Sequence, residues 1–371
     1  MLLEATKLKS PMGLREGRLG GPPACPETGS RPMTLIATKY EQVCHARRNM
    51  AGANSPAPCL WFAEDDKRNK ATDLDTETPP SLVRWPMLPY PFKPLKHNPI
   101  VAGLARRLFR LRARGLERFI FTATTGRSGT LTLTRLFASV PGCHAVHEAH
   151  PVMNGSLLRA ASYGDHEIVE RVYRRVKSVN IYRAAMRQRY YFEANHLFIK
   201  TFARNAVAEF GERIAVVHLV RPAVEVANSI YSLHDYPGTE QGNYWWLDFK
   251  APTNVIEIAD ILSSDPEFSH PFYKALWYWH EIEARVALWR ASVPAVKVID
   301  FETRWLNDPE RVCCLMEQLG LQYDKNRLAA LIGVREHTKE SQKIRTALRA
   351  EEAEDRAYRF RQLLERLQKR I

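Results

Sequence analysis

Phe119-Ile120-Phe121-Thr122-Ala123-Thr124-Thr125-Gly126-Arg127-Ser128-Gly129-Thr130 is the stretch on which the reading of this chain turns. Residues 119–124 form an unbroken β-branched and aromatic run, the pattern of a strand buried on both faces. Gly126 and Gly129 then flank Arg127 and Ser128 in a tight loop, and Leu131 to Ser139 shows helical spacing. A strand, a glycine-rich turn and a helix together make an anion site. The first backbone N–H groups of a helix have no partner inside it, and the helix dipole adds positive charge there. The glycines allow close approach to the backbone, Arg127 can fork onto a phosphate, and Ser128 and Thr130 supply hydroxyls. The GxxxxGK[ST] pattern of metal-dependent nucleotide hydrolases is absent.

Working outward, the chain keeps an α/β rhythm. Leu197 to Thr201, Ile214 to Val220 and Ala295 to Phe301 read as strands; 165–194, 203–212, 222–234, 272–291, 308–319 and 325–335 read as helices. Strands alternating with helices predict an α/β fold: three α/β/α layers around a central parallel sheet, of the P-loop type. The domain is expected over 119–335, with a charged C-terminal helix in 336–371. Residues 1–99 are rich in proline, show no sustained period, and are expected to be a poorly structured extension. Between them, 100–118 interleaves Arg106, Arg107, Arg110, Arg112, Arg114 and Arg118 with Leu104, Leu108, Phe109, Leu111 and Leu116. This reads as a basic amphipathic helix. Packing by its leucine face is the preferred reading, ahead of peripheral membrane contact through 105–118.

A second basic anchor follows the strand Val216-Val217-His218-Leu219-Val220. Arg221 stands at its end and Ser229 on the next helix. Together they can fork onto a phosphate and donate a hydroxyl to it.

The quartet Arg127-Ser128-Gly129-Thr130 after a first strand resembles the 5′-phosphosulfate loop of sulfotransferases that use 3′-phosphoadenosine 5′-phosphosulfate (PAPS). Arg221 with Ser229 resembles that family's 3′-phosphate site. Val298-Ile299-Asp300-Phe301-Glu302, Asn307-Asp308-Pro309-Glu310 and Leu319-Gly320-Leu321 resemble its late segment. The likeness covers about 119 to 335. It implies a P-loop sulfotransferase domain with PAPS as co-substrate, released as PAP, and no metal. The nucleotide would be bound by Arg127, Ser128, Gly129, Thr130, Leu131, Arg221 and Ser229.

Phe198-Ile199-Lys200-Thr201-Phe202 resembles the family strand that ends in Lys-Thr-His in cytosolic members, where the His is the base; Phe202 stands in its place. Glu148, in His147-Glu148-Ala149-His150-Pro151, takes the role instead. Tyrosylprotein sulfotransferases carry a catalytic Glu at a similar interval after the loop Arg. The resemblance thus implies Glu148 as base, with Arg127 and Lys200 as cations that neutralise the leaving phosphate, and Arg127 close enough to position Glu148. His280, in an aromatic helical run, reads as core or rim. Tyr244-Trp245-Trp246 reads equally as an acceptor-stacking cluster or as packing.

The 371 residues are 45% hydrophobic and 26% charged, which excludes collagen-like, wholly disordered and multi-span membrane chains. The net charge of +13 favours anionic partners without choosing among them. Direct nucleic-acid binding has no motif, so the expected partner is a small-molecule, glycan or peptide acceptor. None of the six cysteines forms a CxxC pair, so neither a disulfide framework nor a zinc site is expected. With no signal segment or apolar span in view, the chain is expected to be cytoplasmic. The alternatives to a sulfotransferase are a P-loop kinase-like enzyme and a non-catalytic binder of PAP or polyanions.

Overall fold

In the computed structural model, residues 98–333 and 347–369 are described. Apart from 98 and 99, the Pro-rich extension lies outside them. The centre of the molecule is a five-stranded sheet of β1 (Arg118–Ala123), β2 (Cys143–His147), β3 (Tyr190–Ala194), β4 (Ile214–Val220) and β5 (Lys297–Glu302). The order is β2-β3-β1-β4-β5 and every neighbouring pair is parallel.

Strand side chains alternate between two cores, as the pleat requires. On one face Phe119, Phe121, Tyr191, Ile214 and Val216 are buried. They meet α1 (Pro99–Arg112), α3 (Ser156–Ser162), α4 (His166–Val172), α5 (Ser178–Ala185), α6 (Ala203–Phe210), α7 (Ala223–Tyr231), α10 (Pro271–Ser292) and α13 (Ala350–Gln368). On the other face Ile120, Tyr190, Phe192, Ala215 and Val217 pack against α2 (Thr130–Ala138), α11 (Pro309–Gln318) and α12 (Lys325–Ala329). Short helices α8 (Glu240–Trp245) and α9 (Ala259–Ser264) lie in the irregular stretch between α7 and α10. The buried Glu281 on α10 secures that stretch, accepting the backbone N–H groups of Val255 and Ile256 and pairing with Arg285. The expected three-layer arrangement and parallel sheet are therefore present, and the terminal helix falls at Ala350–Gln368.

Four expectations change. The helix expected over 165–194 stops at Ala185, and Tyr190–Ala194 is strand β3, hydrogen-bonded between β2 and β1. The strand expected at Leu197 to Thr201 is instead a π-helical turn, Phe198–Phe202. Short apolar runs satisfy either period, and pairing with β1 decided which run joined the sheet. Phe202 is fully buried, stacked near Phe198 and Tyr173, so it is a core residue.

The basic helix is real, but its leucine face is reversed. Ala102 is buried and Phe109 half-buried, whereas Leu104, Leu108 and Leu111 are 60%, 46% and 51% exposed. Small residues face inward because α1 lies close against α5, and Arg106 pairs with Glu209 on α6. Finally, Cys314 is disulfide-bonded, while Cys143 and Cys313 are free thiols. The cysteine spacing by itself suggests no disulfide framework.

Candidate functional site

β1 is central, and the chain passes from it to β2 on one side and later to β4 on the other. That reversal places a crevice at the carboxyl ends of the strands. The glycine loop fills it. Gly126, Arg127 and Gly129 all have positive φ (81°, 56° and 82°), so the loop curls tightly enough to turn its amides toward one point. Gly129 is the N-cap of α2 and offers no side-chain cap, leaving the first N–H groups of that helix for another acceptor. A Cβ on Gly129 would lie 2.6 Å from Leu306 Cδ1, and one on Gly126 would lie 3.2 Å from the His196 ring.

The loop is held from below and from the side. Buried Ser128 Oγ lies 2.6 Å from Thr124 Oγ1. Tyr278 Oη donates to the Thr125 carbonyl at 2.6 Å. Thr303 Oγ1 contacts the carbonyls of both Ser128 (2.9 Å) and Val220 (3.1 Å), tying the loop to the end of β4. Thr130 Oγ1 lies 3.0 Å from His147 Nε2 at the end of β2. Leu131 is 44% exposed, on the first turn of α2.

Three residues singled out in the sequence meet on the β4 side. Arg221 donates from Nη1 to the Arg127 carbonyl at 2.6 Å, and Arg127 Nε donates to Ser229 Oγ at 3.0 Å. Trp279 Nε1 donates to the Arg221 carbonyl and fixes the strand end. Two guanidinium groups therefore converge, and the carboxylate paired with either among the described residues is the exposed Glu225, on Arg221 at 2.9 Å. Burial weighs against the charge on Arg127; Asp235 supports it and Arg221 opposes it. The donor set is two cations, a hydroxyl, a helix N-terminus and a glycine cradle without a Cβ. It fits a nucleotide with phosphate groups at two positions.

The β3 side is different. Glu148 follows β2 with a φ of 48°, a left-handed conformation that is costly for a non-glycine residue. Its N–H donates to the Ala194 carbonyl at 3.0 Å, holding it beside the end of β3. Its carboxylate meets His196 Nε2 at 3.4 Å and His147 Nε2 at 3.9 Å. Arg127 is turned toward Ser229, so the expected positioning of Glu148 by Arg127 gives way to positioning by His196. Burial raises the Glu148 carboxyl above its ordinary value against the pull of the Lys200 cation, and Glu193 pushes it the same way.

His196 is the residue the sequence reading missed. Glu148 sits on one of its ring nitrogens, and Lys200 Nζ lies 2.7 Å from the other, Nδ1. Lys200 Nζ also donates to the Trp245 carbonyl (2.8 Å) and to Tyr278 Oη (3.0 Å). A continuous polar chain thus runs Glu148–His196–Lys200–Tyr278–Thr125, from the carboxylate to the loop backbone. With three buried partners on Nζ, Lys200 reaches the loop through Tyr278, not directly. Burial, Lys200 and His147 hold the His196 imidazole well below its usual range, and burial pulls Lys200 down as well. His196 stands just past the end of β3, two residues after Ala194. The signal was present: Asn195-His196 follows an aromatic run, Tyr190 to Phe192, that a strand explains better than a helix.

Beneath this flank, Lys177 and Glu193 form a fully buried ion pair at 2.5 Å. Glu193 also accepts from Tyr191 Oη and Asn195 Nδ2, and Lys177 donates to the Ala149 carbonyl next to Glu148. Trp246 is buried against His196 and under Lys200, so it packs the site floor. Tyr244 is 47% exposed and covers Gly155. His280 lies between Trp279 and Phe360, with burial lowering it to about 4: a neutral rim residue, as expected. Comparisons with protein-family models, with curated proteins and with solved structures found no match.

Proposed function

We propose that this protein is a sulfotransferase that uses PAPS and takes the proton of a hydroxyl or amine acceptor with Glu148. The observation that carries the reading is the convergence of the glycine loop, Arg127, Arg221 and Ser229 at one end of the crevice, with the half-buried carboxylate of Glu148, held by His196, at the other. When bound, PAPS supplies the sulfuryl group.

The chain's own residues have separable tasks. The α2 N-terminus and the Gly126–Thr130 loop would hold the 5′-phosphosulfate, and Leu131 borders it. Arg221 and Ser229 would hold the 3′-phosphate. Arg127 lies between the two and neutralises charge on the leaving phosphate. Glu148 accepts the acceptor proton, its carboxyl raised above its ordinary value by burial. His196 Nδ1 faces Lys200 Nζ and its Nε2 faces the Glu148 carboxylate. His196 thereby orients the carboxylate, and Lys200 acts through it. Exposed Tyr244 stands where an acceptor ring or sugar could stack.

Thermal unfolding with PAP, ADP and Mg·ATP at matched concentrations tests this, because a ligand of the native state stabilises by RT ln(1 + [L]/Kd). A clearly larger rise with PAP than with ADP is expected, followed by PAPS consumption in an acceptor screen. A larger response to Mg·ATP would instead point to a kinase-like enzyme. Binding of PAP with no transfer to any acceptor would reduce the protein to a PAP-binding module.

A further inference from the structure

The outward face of α1 has no place in the reading above. Its exposed surface is built from aliphatic side chains, arginines and Gly103, and holds no acidic residue. Stepping 100° per residue sets Ile100, Leu104, Leu108 and Leu111 within about 40° of one line along the helix. These four are 71%, 60%, 46% and 51% exposed. On the same wheel Arg107 and Arg112 flank the stripe at roughly 60–80° on its two sides. Arg110 and Arg114 add charge nearby, and all four arginines are exposed. Among the described residues no carboxylate is paired with any of them.

The inner face is separately satisfied. Ala102 and Ala113 are buried, Phe109 packs on the core, and Arg106 pairs with Glu209. Both ends are secured: Asn98 caps the first turn by accepting from Ile100 N–H at 2.9 Å, and Ala113 N–H donates to the Phe109 carbonyl. The helix is therefore anchored to the domain by one face while it presents an apolar stripe between cations on the other.

We propose that α1 docks this protein onto an anionic membrane surface, lying in the interface with the stripe among the acyl chains and the arginines at the headgroups. Charge complementarity selects this occupant. Arginines beside an aliphatic stripe sit at the depth of lipid phosphates, and their stems bury along the apolar boundary while the charge stays at the surface. A soluble polyanion would match the arginines but leave the leucines in water. Residues 1–97 carry more Lys and Arg than Asp and Glu, so charge does not favour them as the cover. No helix among the described residues is long and apolar enough to cross a membrane, so the contact is peripheral. α1 ends at Arg112, just ahead of the start of β1, whereas the glycine loop lies where β1 ends. Docking and nucleotide binding therefore use different parts of the molecule.

The test is co-sedimentation of the full chain with vesicles of phosphatidylcholine alone and with 30% phosphatidylserine. The protein is expected to pellet with the anionic vesicles only, and to lose that binding in high salt. Arg107→Gln/Arg110→Gln/Arg112→Gln should weaken binding on the order of 100-fold, and Leu104→Ser/Leu108→Ser at least about tenfold. Circular dichroism and the PAP-induced thermal shift should stay as in the parent, because these side chains are exposed and distant from the loop. Failure to pellet with anionic vesicles overturns the proposal. So does binding that the leucine variant leaves untouched, which would mark a simple polycation, and so does a self-associated form that the leucine variant dissociates.

Discussion

The two flanks of the glycine loop hold opposite electrostatic solutions. On the β4 flank, Arg127 is exposed, Arg221 and Ser229 are half-buried, and the cations face few carboxylates. On the β3 flank, half-buried Glu148 leads through His196 to buried Lys200, and the buried Lys177–Glu193 pair lies beneath. A binding site for a soluble anion must leave its cations underneutralised until the ligand arrives. A base must be desolvated and held in one orientation, so its neighbours are committed beforehand. On the proposed reading, the contrast separates an anion cradle from a proton acceptor, which place opposite demands on burial.

The buried flank should respond most strongly to losing a partner. Lys177→Met removes the cation buried against Glu193, and is expected to cost about 3–5 kcal/mol of folding stability in urea titration. Lys177→Met combined with Glu193→Gln should recover part of that loss. An unchanged midpoint in the single variant would show that the pair is not buried in solution.

Next, Glu148→Gln should lower turnover by a factor on the order of 10² to 10⁴ while PAP binding stays within about twofold. The pH profile adds a sign. Burial raises the Glu148 pKa, and the base acts only when ionised. Activity should therefore fall on acidification with a limb above the ordinary 4.5, and rise toward neutral pH. A limb at or below that value, or undiminished turnover in the variant, would remove Glu148 from the mechanism.

The smallest effect belongs to the open flank. Arg221→Ala should weaken PAP by roughly 10- to 100-fold, the equivalent of one charge-assisted contact, and ADP by much less, as measured by calorimetry. Equal weakening of the two would detach Arg221 from any 3′-phosphate and erase the distinction between the flanks.

The strand–loop–helix around Gly126 was legible because its signals are local: β-branched runs, glycines where φ must be positive, and helical spacing beyond. Arg221 and Ser229 were legible for the same reason, one just past the end of a long apolar strand and the other on the helix that follows it. His196 was not. Its importance depends on where β3 ends, and Tyr190–Ala194 becomes a strand through pairing with β1 and β2, partners that lie far away in the chain. The Phe198–Phe202 segment shows the converse, an apolar run that reads as a strand but is displaced from the sheet into a helical turn.

What the sequence determined by itself was the set of local elements and the residue types that can meet an anion, since backbone preferences and short-range periodicity act over a few residues. The tertiary structure alone decided which polar groups share the crevice and which face of α1 is turned outward. The helix pattern of α1 is satisfied equally by burying its alanines or its leucines. The close approach of α5, with Arg106 drawn to Glu209, selected the small residues for the inside and left the leucines between arginines on the surface.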